Sequence, residues 1–155
     1  MAPKRVAESR VVTTNLVLPN DTNQLGNLLG GTIMHWIDVC AAIAAQRHSG
    51  HVCVTASVDD LVFHDPIKLG DVVTLTAFVT RAFHSSMEIG VTVGAVSTGG
   101  RQIARATSAF LTFVAIDEAG RTVAIPPLLP ENDEEKLLFD QALVRRELRL
   151  KHRQS

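Results

Sequence analysis

"DTNQLGNLLGGTIMHWIDVCAAIAAQ", residues 21–46, is the stretch that decides how this chain is read. From Ile33 onward it is almost wholly apolar and rich in alanine, the pattern of a helix with protein on most sides. Its alanines are small enough for close packing against a sheet. One acid, Asp38, stands in the middle. An ionised carboxylate in such surroundings is costly unless a partner or a function retains it. Asp38 is therefore a candidate general base, or else a structural hydrogen-bond acceptor with His35 one turn earlier as its candidate partner. Gly30 and Gly31 open the helix, which is predicted over residues 32–48. The pair permits close backbone approach, and the unpaired N–H groups of a helix start point toward any carbonyl oxygen placed before them. A plain tight turn into a helix would use the same two residues.

Working outward, residues 10–18 are rich in Val, Thr and Leu and read as a strand, ended by Pro19 and the polar loop 20–27. Beyond Gly50 the pattern changes to period two, which predicts strands over 52–61, 71–81, 86–98 and 102–117 in one antiparallel sheet. Val73, Leu75, Ala77 and Val79 share one face, as do Met87, Ile89, Val91, Val93 and Ala95. Turn chemistry at 98–101 and 118–121 separates the later strands. Residues 110–116 are apolar on both faces, which calls for a second subunit or the C-terminal segment to lie against them. A last helix is predicted over 133–150, with Glu131, Asp133, Glu134 and Glu135 at its start and Arg145, Arg146, Arg149 and Lys151 at its end, an arrangement that suits the helix dipole. Its basic end reads as a solvated helix terminus, with phosphate binding as the other reading. The order strand, helix, four strands is an α+β fold: an antiparallel sheet wrapped around one long central helix, with a C-terminal helix and tail over 131–155.

Composition narrows the function. The 155 residues, 46% hydrophobic and 20% charged, fit one domain over 1–155. A net charge of -1 argues against nucleic acid or anionic lipid as a partner. The first ten residues lack the apolar core of a signal peptide, and no apolar run is long enough to span a bilayer. Cys40 and Cys53 lie in apolar surroundings without a CxxC pair, as reduced core thiols of a cytoplasmic protein would. The six histidines, His35, His48, His51, His64, His84 and His152, have no metal-ligand spacing and are expected in structural or surface roles.

Three strings then point to a family. They are Leu18-Pro19-Asn20-Asp21-Thr22-Asn23 followed by Gly26, Gly30-Gly31, Met34, Trp36 and Asp38; Val54-Thr55-Ala56-Ser57-Val58-Asp59-Asp60; and Thr80-Arg81-Ala82-Phe83-His84-Ser85-Ser86-Met87-Glu88-Ile89. In this order, over about residues 12–117, the chain resembles the acyl-CoA thioesterases of the hotdog superfamily, above all the single-hotdog units of cytosolic acyl-CoA and acetyl-CoA hydrolases and their bacterial short forms. The resemblance implies the hotdog fold and hydrolysis of acyl-CoA thioesters to free fatty acid and coenzyme A. It implies no cofactor, since coenzyme A belongs to the substrate and product. The minimal active unit would be a homodimer, and trimers of dimers are frequent among relatives.

The resemblance also assigns residues. Asp38 would activate water or attack the thioester, and Asn23 of the other subunit would orient the water or the carbonyl; Asn23 alone would pass for an ordinary turn residue. Gly30 and Gly31 would donate to the oxyanion. Arg81, Ser85 and Ser86 would face the coenzyme A nucleotide, where an arginine clamps phosphate and hydroxyls add donors; a polar hairpin would look the same. Thr55 and Ser57 would lie beside the pantetheine arm. Two other readings stand: a hotdog hydroxyacyl-thioester dehydratase, using a histidine such as His35 or His64 with an acid, and a non-catalytic acyl-CoA-binding sensor.

Overall fold

The structure is a computed structural model that describes the chain apart from Asp60, Val62, His64 and Ser155, and without the side chains of residues 103–107 and 154. A five-stranded antiparallel sheet in the order β2-β4-β5-β6-β3 curls around a central helix. Its strands are β2 (Val11–Leu16), β3 (Val52–Val58), β4 (Val72–Ala82), β5 (Ser86–Val96) and β6 (Gln102–Ile116). The helix, α2 (Gly30–Ser49), touches all five. Each predicted strand is present, although the one predicted over 52–61 ends as a strand at Val58.

Period two explains the inner layer. Val73, Leu75, Ala77 and Val79 of β4, Met87, Ile89, Val91, Val93 and Ala95 of β5, and Ala109, Leu111, Phe113 and Ala115 of β6 are all buried. They meet a stripe on α2 formed by Ile33, Ile37, Cys40, Ala41, Ala44, Ala45 and His48, at the i, i+4, i+7, i+8 spacing of one helix face. A fully buried side chain such as Ile37 or Phe113 contributes ~1.5–3 kcal/mol. The alanines let the strands come close. Gly50 ends the helix in the left-handed conformation (φ 74°), its N–H donating to Gln46 O at 2.8 Å.

Contrary to the expectation of a helix surrounded by protein, α2 is covered on one side only. Val39 is 44% exposed, and Asp38 is half-buried on the open side. A sheet that curls around one flank of a helix leaves the other bare.

Two β-bulges reset which side chains face out. Between Thr55 and Ser57 the register of β3 on β6 shifts, so that Thr55 pairs with inward-facing Phe113 but Ser57 pairs with Thr112. A second shift, between Val79 and Arg81, turns Thr80 and Arg81 to the outer face beside Glu88. An extra residue in one strand re-aims everything next to it.

The outer face is covered by the C-terminal helix, α3 (Asp133–Gln154). Asn132 caps it, its Oδ1 accepting from Glu135 N–H at 2.8 Å, while Glu135 Oε1 accepts from Glu131 N–H at 3.0 Å. The basic end is not the solvated terminus expected from sequence. Glu88, fully buried, accepts from Arg145 Nε (3.0 Å) and Nη2 (2.7 Å), from Thr80 Oγ1 (2.7 Å), and at longer range from Arg149 Nη1 (3.4 Å). Arg149 also donates to Asp59 Oδ2 at 3.2 Å. The Arg145 guanidinium lies 3.7 Å over the Phe110 ring. Of residues 110–116, Phe110 is the one on which the C-terminal segment packs in this way.

Two short pieces had no sequence signal. β1 (Lys4–Arg5) pairs in parallel with β7 (Leu128–Leu129), and a single helical turn, α1 (Val6–Ser9), follows β1. Together they close over the C-terminal end of α2, where Lys4 Nζ donates to Arg47 O at 3.1 Å. Beneath them His48 is fully buried, its Nε2–H donating to Pro126 O at 2.7 Å and its Nδ1 without a partner.

Two outcomes follow. Arg145→Ala strands a buried carboxylate beside the weaker Arg149 contact and is expected to destabilise the fold by ~3 kcal/mol, read as a shift in urea midpoint. Burial holds the His48 ring below its ordinary pKa of 6.5, so the unfolded chain takes up a proton that the folded chain refuses. Stability should be full above about pH 6.5 and fall as the pH drops below it. His48→Gln should flatten the pH dependence of the melting temperature between pH 7 and 5.

Candidate active site

The open side of α2 carries the acid. Asp38 Oδ1 accepts a hydrogen bond from Thr55 Oγ1 at 2.7 Å. Thr55 faces inward because the bulge begins only after it, so the strand delivers its hydroxyl to the helix. His35, the partner considered from sequence, is exposed and makes no hydrogen bond to Asp38. With Oδ1 engaged, Oδ2 has no hydrogen-bond partner among the described residues.

Gly30 and Gly31 are the first two residues of α2. The intrahelical bonds begin with Thr32 and Ile33 N–H, which both reach Leu29 O (3.1 and 3.2 Å), leaving the two glycine N–H groups as donors at an exposed helix start. A methyl group on either glycine would meet nothing within 4 Å. Among the described residues nothing requires glycine there.

Asn23 lies in the loop before the helix. Its Oδ1 accepts from Leu25 N–H (2.9 Å) and Asn27 N–H (3.1 Å), which is the turn role open to any asparagine. Its side-chain amide donors are exposed. The loop is fixed at both ends, with Leu29 N–H on Asp21 O (2.8 Å) and Leu28 N–H on Ile67 O (2.7 Å). Beside it, Asn27, Leu28, Gly30, Ile33, Phe63 and Ile67 line a small, mainly apolar cleft of about 90 Å³. Asn23 and Asp38 share no hydrogen bond within the chain.

The remaining sequence candidates divide between the two faces of the sheet. Thr55 belongs with Asp38, whereas Ser57 and Ser86 open into a groove on the outer face. Arg81 is engaged with α3: its Nη1 donates to Phe139 O at 3.1 Å, and its guanidinium lies 3.9 Å over the Phe139 ring. Ser85 is half-buried, and its carbonyl accepts from Ala115 N–H at 2.9 Å. His64 falls outside the described residues. Among those described, no three of His, Cys, Asp and Glu are grouped to hold a metal ion, and no helix is long and apolar enough to cross a membrane. Cys40 and Cys53 are free thiols raised in pKa by burial.

This arrangement has relatives. Residues 25–99 match the model of the thioesterase superfamily. The chain is 44% identical over 153 residues to the Bacillus subtilis acyl-CoA thioester hydrolase YkhA, covering 96% of this chain and 88% of that one. The chain belongs to the thioesterase superfamily. Among solved structures, a hexameric acyl-CoA thioesterase superposes with a TM-score of 0.92 at 38% identity, over 98% of this chain and 97% of that chain. A Staphylococcus aureus acyl-CoA hydrolase carrying an aspartate-to-alanine change superposes with a TM-score of 0.90 at 38% identity, over 99% of this chain and 94% of that one. Further structures of that hydrolase carry alanine at a threonine and at an asparagine, and the three altered residues keep the order and spacing of Asn23, Asp38 and Thr55 here. Mammalian relatives are longer: this thioesterase chain spans 26% of the mouse acetyl-coenzyme A thioesterase, to which it is 36% identical. The hotdog fold and family expected from the three strings are thus borne out.

The glycine pair offers a direct check. Gly31→Ala has room, and alanine is the better helix former by up to ~1 kcal/mol, so thermal stability should hold or rise. Turnover should fall if the missing Cβ makes room for a ligand. A variant equal to wild type in both melting temperature and turnover would assign Gly31 to no close approach.

Proposed function

We propose that this protein hydrolyses acyl-CoA thioesters to a free carboxylic acid and coenzyme A, using water activated at Asp38, in a site assembled from two copies of the chain. The observation that carries the reading is the Asp38–Thr55 pair: a carboxylate retained on the open side of an otherwise apolar helix, oriented by one hydroxyl and with its second oxygen available. A thioester carbonyl is already electrophilic. Its hydrolysis asks for a base or nucleophile on one side of the carbonyl carbon and donors for the developing oxyanion on the other. Asp38 serves the first need, whether it draws a proton from water or attacks directly. The N–H groups of Gly30 and Gly31 serve the second, and the Asn23 amide orients the water or the carbonyl.

Helix geometry supports the division between copies. Gly31 and Asp38 are seven residues apart, nearly two turns, so they share a face but lie roughly 10 Å apart along the axis. A carbonyl held at the helix start is out of reach of water held by the same chain's carboxylate. Asn23 and the glycines of one copy, facing Asp38 of another, remove that difficulty. The free edge strand β3 supplies the contact: Val52, Val54 and Val58 are exposed on it, and Val39 is exposed on α2. An unpaired apolar edge is a ready surface for pairing with a second copy. Dimers joined this way would further assemble into hexamers like the one described for the similar thioesterase. The free thiols and the likeness to a human cytosolic acyl-CoA hydrolase support a cytoplasmic setting.

No observation favours the dehydratase or the sensor. His35 does not join Asp38, and a sensor would leave the Asp38–Thr55 pair idle.

Release of free thiol from butyryl-CoA tests the chemistry. Asp38→Asn should leave a folded protein with turnover lowered at least ~10²-fold, and near-normal turnover would move the base elsewhere. Subunit exchange tests the assembly. Inactive Asp38→Asn and inactive Asn23→Ala chains, mixed and allowed to exchange, should recover part of the activity, because one of the two sites in each mixed dimer is intact. No recovery after demonstrated exchange would place both residues in one chain's site.

A further inference from the structure

Thr55, the partner of Asp38, ends the regular part of β3, and the strand's own pattern does little to hold it there. Val52 and Val54 face outward, Cys53 and Val58 face inward, and no residue of β3 is buried. A strand apolar on both faces specifies its register weakly. Among the described residues β3 is also an edge strand, paired with β6 alone. We propose that Asp59, held by Arg149, is a positioning residue for the Asp38–Thr55 pair: it maintains the bulge at Ala56 that aims the Thr55 hydroxyl at Asp38. The catalytic part rests on the thioesterase reading given above.

Parity is the reason a bulge is needed. Thr55 and Asp59 lie an even number of residues apart, and plain alternation would put them on one face. Their partners lie on opposite faces. Thr55 opposes inward Phe113 and donates to Asp38 of α2, whereas Asp59 accepts from Arg149 of α3, on the outer face, at 3.2 Å. Both contacts form together only with one extra residue between them, and the register shift places it at Ala56. A bulge bends its strand and deepens the local twist, so it sets the angle at which the neighbouring Thr55 meets the helix.

The outer contact is built to hold. The Arg149 and Asp59 side chains are 19% and 28% exposed, so solvent screens their pair less than one on an open surface. Arg149 is itself fixed by Glu88, at 3.4 Å, whose carboxylate is fully buried and gripped by Arg145. The backbone agrees: Asp59 N–H donates to Phe110 O at 2.9 Å, one residue past the end of β3 at Val58. Without the Asp59 carboxylate the bulge loses its outer anchor, and the residues beyond Thr55 are free to fray or to close up in plain alternation. Either change alters the aim of Thr55. Fixing a register is the best-attested use of a partly buried ion pair.

Asp59→Ala leaves Arg149 with Glu88 as its partner, so no buried charge is orphaned and the variant is expected to fold. Thiol release is followed with S-butyrylpantetheine, which lacks the nucleotide, so that the freed arginine cannot act through a phosphate. Asp59→Ala should lower kcat roughly tenfold to a hundredfold, a typical cost of a displaced catalytic contact, with KM changed less than about twofold. In a Thr55→Ala chain the same substitution should change kcat by less than about twofold, because the hydroxyl it aims is gone. Hydrogen exchange, which needs no turnover, should quicken in residues 53–59 and hold in β4 and β5. The proposal is overturned by a kcat within about twofold of wild type or by an equal loss in both backgrounds. It is overturned equally by exchange in β3 that is unchanged, or that quickens across the whole sheet as loss of a general stabiliser would cause. A wild type that hydrolyses neither this substrate nor butyryl-CoA would sink the thioesterase reading, and quickened exchange confined to β3 would then leave Asp59 as the holder of the bulge.

Discussion

A single curled sheet can cover only one flank of a helix, and most of this structure is a response to that limit. The alanine-rich stripe of α2 lets five strands close in, which uses up the inner face of the sheet and half of the helix. Three surfaces remain: the outer face of the sheet, the free edge at β3 and the open side of α2. The chain covers the first with α3. The other two adjoin each other, and that is where Asp38 and its threonine sit.

Covering the outer face placed a carboxylate in the interior. Glu88 occupies an outward position in β5 and would be solvated on a bare sheet; under α3 it is fully buried. Removing an ion from water costs several kcal/mol unless it is met by good partners, and Glu88 has two oxygens engaged by Arg145, with Thr80 and Arg149 beside them. The network orients α3 more than it strengthens it, because a bidentate fork tolerates one rotation and one register of the helix. Apolar contacts such as Ala142, which is fully buried, supply the packing. Arg81 also holds Phe139, so the same helix is pinned nearer its start as well.

The features legible in sequence are those that repeat. Alternation along β4, β5 and β6 marks the inner face because every second residue meets the same core, and the apolar run from Ile33 marks α2 because its stripe returns every turn. Asp38 stood out by breaking that run, although its partner Thr55 is seventeen residues away on another element and no spacing rule joins them. What did not show were single-residue events. The extra residue in β3 and the one near Thr80 leave the alternation looking intact, and the two-residue pairing of β1 with β7 is too short to have a period. The arginines of α3 read as a solvated end because Glu88, their counter-charge, sits more than fifty residues earlier at a position that alternation assigns to water.

The bulge between Thr55 and Ser57 also bears on how such a chain tolerates change in length. A strand is a two-state counter, and one added or lost residue inverts inside and outside for all that follows until a turn resets it. Ala56 is the residue that the bulge absorbs, so deleting it would leave Thr55, Ser57 and Val58 opposite Phe113, Thr112 and Leu111 in plain alternation, with Ser57 still outward and Val58 still inward. Deleting a regularly paired residue such as Val54 has no such outlet and would put its neighbours out of phase. Along β3, then, the place of a length change matters more than its size, and a relative whose strand lacks the bulge residue could present the same two faces with a straighter strand.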